Sequence, residues 1–266
     1  MIIDTHNDYL TKGVKPTYLD EREEYLKLLC SPVWTSEISD PMTKIKKAKE
    51  FLDSKKLTTE LKLCVEDCWF LKEDNLEEFL SFKPFYTGLT WNDTNCLAGG
   101  CFGKGTISDF GKRVIKLFEK SGVIIDTAHL NRESFFDLAK LTSRPLFNSH
   151  TAVDALCNTT RNLTNEQLKI FKDTKGFIGV YFVTEFLSSG KVTSKTVADH
   201  IDYIVNFCGI DCVGFGTDFN GTDELPEDVK DYCDVENILM ELKGRGYSDE
   251  ALNKIRYNNF YEYLKK

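Results

Sequence analysis

"MIIDTHNDYL", residues 1–10, decides how the rest of the chain is read. Its apolar run Met1–Ile3 breaks at once into Asp4, Thr5, His6, Asn7 and Asp8. That is the pattern of a buried strand ending in polar side chains. Residues two apart on a strand face the same way, so His6 and Asp8 are placed to close on one ion. Taken alone, an H-x-D is more often a strand followed by a polar loop. Its weight therefore depends on what the other strand ends carry. A dinucleotide-binding open sheet would follow its first strand with a Gly-rich phosphate turn, and "DTHNDYL" contains no glycine.

Outward from this stretch, short apolar runs alternate with longer amphipathic ones. Strands are expected at residues 1–6, weakly at 31–36 ("SPVWTS"), and at 61–66, 85–90, 122–129, 145–150, 177–183 and 211–218. Helical periodicity covers about Met42 to Lys56, Ser108 to Lys120, Arg132 to Leu141, Thr164 to Asp173, Ser194 to Asn206, Val235 to Arg245 and Ser248 to Leu264. Ser248 has the look of an N-cap, with acids in the turn that follows. No repeat, low-complexity tract or Pro/Gly linker interrupts the pattern. Eight strands alternating with helices over about 250 residues match an α/β fold of the (β/α)8 TIM-barrel type, a single domain over 1–266.

A formal net charge of −8 without a basic patch argues against nucleic-acid binding. No stretch has the form of a signal peptide or approaches the roughly 20 apolar residues of a membrane span. Nine cysteines with no export signal favour reduced thiols and a cytoplasmic location. Cys64 with Cys68, Cys96 with Cys101 and Cys208 with Cys212 lack the C-x-x-C spacing of structural zinc sites, so they read as packing residues.

In a (β/α)8 barrel the chemistry sits at the C-terminal ends of the strands. Those ends carry His6 and Asp8, then Glu66, His129, His150 and Asp218. The chain has four histidines and three of them stand there; His200 lies within a helical pattern and reads as a surface or packing residue. Imidazoles and carboxylates together suit Zn²⁺ and similar ions. Even five of these six groups as ligands exceed one open tetrahedral site and match two metals sharing a bridging carboxylate.

At these residues the chain resembles the membrane (renal-type) dipeptidase family, peptidase family M19, of the amidohydrolase-like barrels. The resemblance is carried in order by "DTHND", "VEDCW", "LTWNDTNCLAGG", "IDTAHLNRESF", "RPLFNSHTAVDALCNTTRNLTNEQL", "VGFGTDFNG" and "IRYNNFYEYL". It implies that His6 and Asp8 hold one zinc, that His129 and His150 hold the other, and that Glu66 bridges them. It also implies that Arg161 grips a substrate carboxylate, a task suited to its planar fork. Asp218 is the implied proton carrier, and Trp91 and Asn92 the implied substrate contacts. Asp67 and Cys68 replace a frequent Gly-Gly, Trp91 stands where some relatives have a histidine, and Asn220 replaces an Asp.

The function expected is hydrolysis of dipeptides with a free C-terminal carboxylate by a metal-bridging hydroxide, without a covalent intermediate. The expected partner is a small peptide, with neither nucleic acid nor membrane, and a homodimer is open. The alternatives are a related amidohydrolase acting on an N-acyl amino acid, lactam or peptide-derived metabolite, and a retired metal-binding barrel. A metal-dependent nuclease is the weakest, given the acidic charge and H-x-D in place of H-x-H.

Overall fold

The computed structural model describes residues 1–13, 17–54 and 56–266. Residue 55, inside the expected helix 42–56, lies outside the described residues. Eight parallel strands close into a barrel in chain order: β1 (Ile2–Asp4), β2 (Leu26–Trp34), β3 (Glu60–Glu66), β4 (Tyr86–Gly88), β5 (Ile124–Asp126), β6 (Phe147–Thr151), β7 (Phe177–Val180) and β8 (Val213–Phe215). The ring shuts where Asp4 of β1 pairs with Phe215 of β8.

Helices occupy the connections: α1 (Tyr9–Lys12), α2 (Thr17–Asp20), α3 (Pro41–Ser54), α4 (Leu76–Ser81), α5 (Asp109–Lys120), α6 (Arg132–Leu141), α7 (Asn165–Thr174), α8 (Ser194–Cys208) and α9 (Val235–Gly244). α10 (Asp249–Asn253) runs through a π-helical turn into α11 (Asn259–Leu264). Local chemistry sets where they start. Ser108 accepts from Gly111 N at 2.9 Å, Asn131 from Ser134 N at 2.8 Å and Ser248 from Ala251 N at 3.2 Å, each satisfying a first-turn N–H with no helical partner. Thr164 and Gln167 form a reciprocal capping box.

All eight expected strands exist. β2 starts five residues before the expected "SPVWTS", because Lys27 breaks the apolar pattern; its ammonium lies 4.4 Å from the Tyr257 ring centroid. The short helices α1, α2 and α4 were not expected, since four to six residues hold too little periodicity to read. The ladder from Leu28↔Glu60 to Trp34↔Glu66 is continuous. It delivers Trp34 and Glu66 side by side at the upper rim.

The lower end of the barrel is filled by side chains from successive strands, among them Ile3, Leu28, Cys30, Cys64, Tyr86, Ile124, Phe147 and Phe177. Phe260 and Tyr263 of α11 close it from below, with Phe177 and Phe260 ring centroids 5.2 Å apart. β8 contributes Gly214 at this level: a Cβ there would lie 2.7 Å from the Phe177 ring. The floor is packed with side chains, and the interior opens at the upper end.

Candidate metal centre

Each expected ligand leaves the top of its strand. Two of the turns that present them are strained: His129 and Asp218 hold φ of +62° without being glycine. Such residues persist where surrounding contacts over-determine them. For Asp218 one such contact is its own N–H, which donates to His6 O at 3.0 Å.

Glu66 lies at the centre. Its Oε1 is 3.0 Å from His129 Nε2 and 3.7 Å from His150 Nε2, and its Oε2 is 3.8 Å from His6 Nε2. The two imidazole groups thus sit on different oxygens of one carboxylate. His6 Nε2 is also 3.7 Å from Asp8 Oδ2 and 3.8 Å from Asp218 Oδ1. Three groups of side chains among the described residues lie close enough to hold a cation: Glu66 with His129 and His150, His6 with Asp8 and Asp218, and, on the far side of the His6 and His150 rings, His6 with Asp126 and His150. The structure therefore brings together all five expected ligands and Asp218. No cysteine joins such a cluster among the described residues.

Hydrogen bonds assign the tautomers. Tyr86 Oη donates to Thr5 O at 3.0 Å, so it accepts from His6 Nδ1–H at 3.0 Å. Asn92 Oδ1 accepts from His129 Nδ1–H at 3.0 Å. Ser149 Oγ donates to Asp126 Oδ2, leaving its lone pairs to accept from His150 Nδ1–H at 2.7 Å. All three Nε2 atoms are consequently lone pairs aimed at carboxylates, and His129 and His150 Nε2 face each other at 3.1 Å. Acceptors facing one another at such distances are satisfied by a cation or by protons donated between them.

Electrostatics agree with this donor set. Burial first, then Arg161, drives His6 down to about 3. Burial likewise lowers His129 and His150, so the imidazoles are neutral at pH 7 and their contacts to acids are not ion pairs. Burial pushes Asp8 up to about 6. It raises Glu66 and Asp218 well above the carboxylate range, and repulsion from Asp8 adds to both. Crowded carboxylates beside neutral imidazoles are the reverse of a stable apolar core, and they fit divalent cations. Gly221 preserves the space: a Cβ there would lie 2.1 Å from Asp218 Oδ1 and 2.5 Å from Asp8 Oδ2.

Above the cluster is a cavity of about 300 Å³, at the small end for ligand pockets. Arg161, 5% exposed, lines it, with its guanidinium 5.6 Å from the Tyr181 ring centroid. No carboxylate lies within ion-pair distance of Arg161 among the described residues. Trp91 forms another wall, edge-on to Trp34 at 5.2 Å between ring centroids. Asn92 also lines the cavity, yet its carbonyl orients His129, a role in addition to the substrate contact expected from sequence.

Of the departures from the family pattern, Trp91 lines this cavity and the others stay away from it. Asp67 has φ +67°, where glycine is favoured, and holds it by accepting from Ser36 Oγ at 2.6 Å and Asn95 Nδ2 at 2.9 Å. Cys68 is fully buried in the core. Asn220 donates to Asn7 Oδ1 at 2.9 Å and so ties the β8 turn to the β1 turn. His200 is a buried packing residue, accepting from Val153 N at 3.1 Å and donating to Leu187 O at 3.0 Å. Sequence reasoning missed Asp126, Ser149 and Tyr86, which orient the His6 and His150 rings. The available signal was an acid inside the apolar run "GVIIDTAH".

The family model for membrane dipeptidase (peptidase family M19) matches residues 74–266. An uncharacterized protein in the pqqA 5′ region of Klebsiella pneumoniae is 32% identical over 204 residues, spanning 72% of this chain and 75% of its own length. The solved dipeptidase AC, a metallopeptidase of family M19, superposes with a TM-score of 0.87 at 19% identity over 99% of this chain and 97% of that one. A metallopeptidase from Rhodobacter sphaeroides, liganded with a phosphinate mimic of the dipeptide L-Ala-D-Ala, gives a TM-score of 0.84 at 18% identity over 99% and 98%. At those identities the superpositions establish the common barrel. With the family match over most of its length, the chain belongs to the membrane dipeptidase family, peptidase family M19.

Proposed function

We propose that the site holds two divalent ions, Zn²⁺ in our reading, and hydrolyses dipeptides that carry a free C-terminal carboxylate. The observation that carries the substrate half of this reading is Arg161. A buried guanidinium without a carboxylate partner among the described residues is costly, and a ligand carboxylate entering the cavity removes that cost. Its planar fork accepts such a group through two parallel N–H···O bonds. The small cavity limits how much chain extends beyond that anchor.

The ligand set implied by the resemblance agrees with the geometry: His6 and Asp8 at one end, His129 and His150 at the other, Glu66 between. Bound divalent ions supply an acidified water and polarisation of the scissile carbonyl there. Asp218 carries the proton in our reading. Its carboxyl is raised by burial and by Asp8, toward the range in which a group both takes and returns a proton at neutral pH. It accepts the proton of the attacking water and gives it to the departing amine. Trp91 and Trp34 keep bulk water off one side of the cavity. The nine cysteines are all free thiols, which supports our placement of the protein in the cytoplasm; no helix among the described residues is long and apolar enough to cross a membrane.

The test is a panel of L,L and L,D dipeptides, their C-terminal amides, tripeptides and N-acyl amino acids, offered to zinc-reconstituted protein. Dipeptide acids should be cleaved and amides spared. Arg161→Lys should raise KM about 10- to 100-fold, the value of charged hydrogen bonds lost from a bidentate site. Equal cleavage of acids and amides would overturn the role of Arg161. Cleavage of N-acyl amino acids alone would move the assignment to a related amidohydrolase.

A further inference from the structure

Below the ligating imidazoles, one hydroxyl uses its whole hydrogen-bonding capacity. Ser149 Oγ donates to Asp126 Oδ2, accepts from His150 Nδ1 at 2.7 Å, and lies 3.3 Å from His6 Nδ1. His6 and His150 belong to different ends of the Glu66 bridge, and their ring centroids are 3.6 Å apart. Asp126 is 2% exposed, and its other oxygen accepts from Ala128 N at 3.0 Å and Ser149 N at 2.9 Å. Those two backbone donors fix which carboxylate oxygen faces the hydroxyl. Neither Asp126 nor Ser149 lines the substrate cavity.

We propose that Asp126 is a positioning residue that acts through Ser149 to hold His150 as its Nδ1–H tautomer, with Nε2 free for an ion. The direction of the chain of donors is what matters. An ionised Asp126 only accepts, so the serine proton must point to it. The serine lone pairs then face the imidazoles, and each imidazole must present N–H. His150 Nδ1 has no other acceptor among the hydrogen bonds of the described residues, whereas His6 Nδ1 also has Tyr86 Oη at 3.0 Å. The two ends are therefore oriented unequally: His150 depends on Asp126 and Ser149, and His6 depends mainly on Tyr86.

Asp126→Asn tests this without changing shape. Its amide oxygen keeps the two backbone donors, which turns the NH2 group toward Ser149. The hydroxyl loses its acceptor, donates to His150 Nδ1 instead, and moves the imidazole proton to Nε2, where it blocks an ion. The measurement is the imidazole ¹⁵N spectrum of full-length protein, first ion-free and then during Zn²⁺ titration, each histidine reporting its own end. Wild type should show Nδ1–H at His6 and His150. Asp126→Asn should show Nε2–H at His150 and bind Zn²⁺ about 10- to 100-fold more weakly there, the usual cost of losing such an orienting partner. Tyr86→Phe should weaken the His6 end instead.

A merely structural role would weaken both ends alike in both variants and leave the tautomers unchanged, which would overturn the proposal. So would Nε2–H at His150 in ion-free wild type, a result that needs no variant to fold. These readouts contain no substrate, so failure of the dipeptidase reading leaves them standing and their failure leaves that reading intact.

Discussion

The two ends of this barrel solve opposite problems. At the lower end Phe147, Phe177, Phe260 and Tyr263 interlock as dry aromatic packing, with Phe147 and Tyr263 ring centroids 5.6 Å apart. At the upper end carboxylates and imidazole lone pairs crowd together and raise one another's energy until cations arrive. Tyr86 belongs to both, with its ring in the floor and its hydroxyl on His6. The floor supplies stability, and that stability allows the mouth to be unfavourable in the ion-free chain.

The contrast is sharpest when each end is altered alone. Asp218→Asn should lower kcat by about 10³-fold, within the range for losing a general acid–base, or about 4 kcal/mol. Its thermal midpoint should hold or rise, because a repelling carboxylate is gone; a large drop would place Asp218 among the folding determinants. Phe177→Ala should do the reverse. It should cost about 3 kcal/mol in chemical denaturation, as emptied aromatic core positions do, while zinc affinity per folded molecule stays the same. A zinc site lost together with Phe177 would show that the ends are not separable.

A smaller effect comes from Asp8→Asn and changes sign with conditions. The folded chain holds the Asp8 proton up to about pH 6, against about 4 when unfolded, so the ionised carboxylate costs stability at higher pH. In ion-free protein the substitution should therefore stabilise by about 1–3 kcal/mol near pH 7.5. That gain should shrink as pH falls through about 6 and vanish near 4. Saturating Zn²⁺ should reverse the sign at pH 7.5, because the wild-type carboxylate then has a partner. A pH-independent difference would contradict the crowding.

How much of each end was legible differs for a physical reason. The candidate site residues could be read because His6, Glu66, His129, His150 and Asp218 interrupt apolar runs at their ends, where a barrel places chemistry. The groups that aim them could not. Ser149 looks like any small polar residue in "PLFNSH", and its meaning depends on Asp126, 23 residues earlier and one strand away. The start of β2 was hidden in the same way, since only the fold shows Lys27 resting on Tyr257. Strand existence is written in local pattern, whereas partnership across strands is not.

The most direct test of the acceptor-crowded mouth is anomalous diffraction from crystals of the zinc-loaded protein. Two zinc peaks per chain are expected, one against each oxygen of Glu66, with His6 and Asp8 on one and His129 and His150 on the other. A single peak, or two peaks that leave Glu66 uncoordinated, would contradict it.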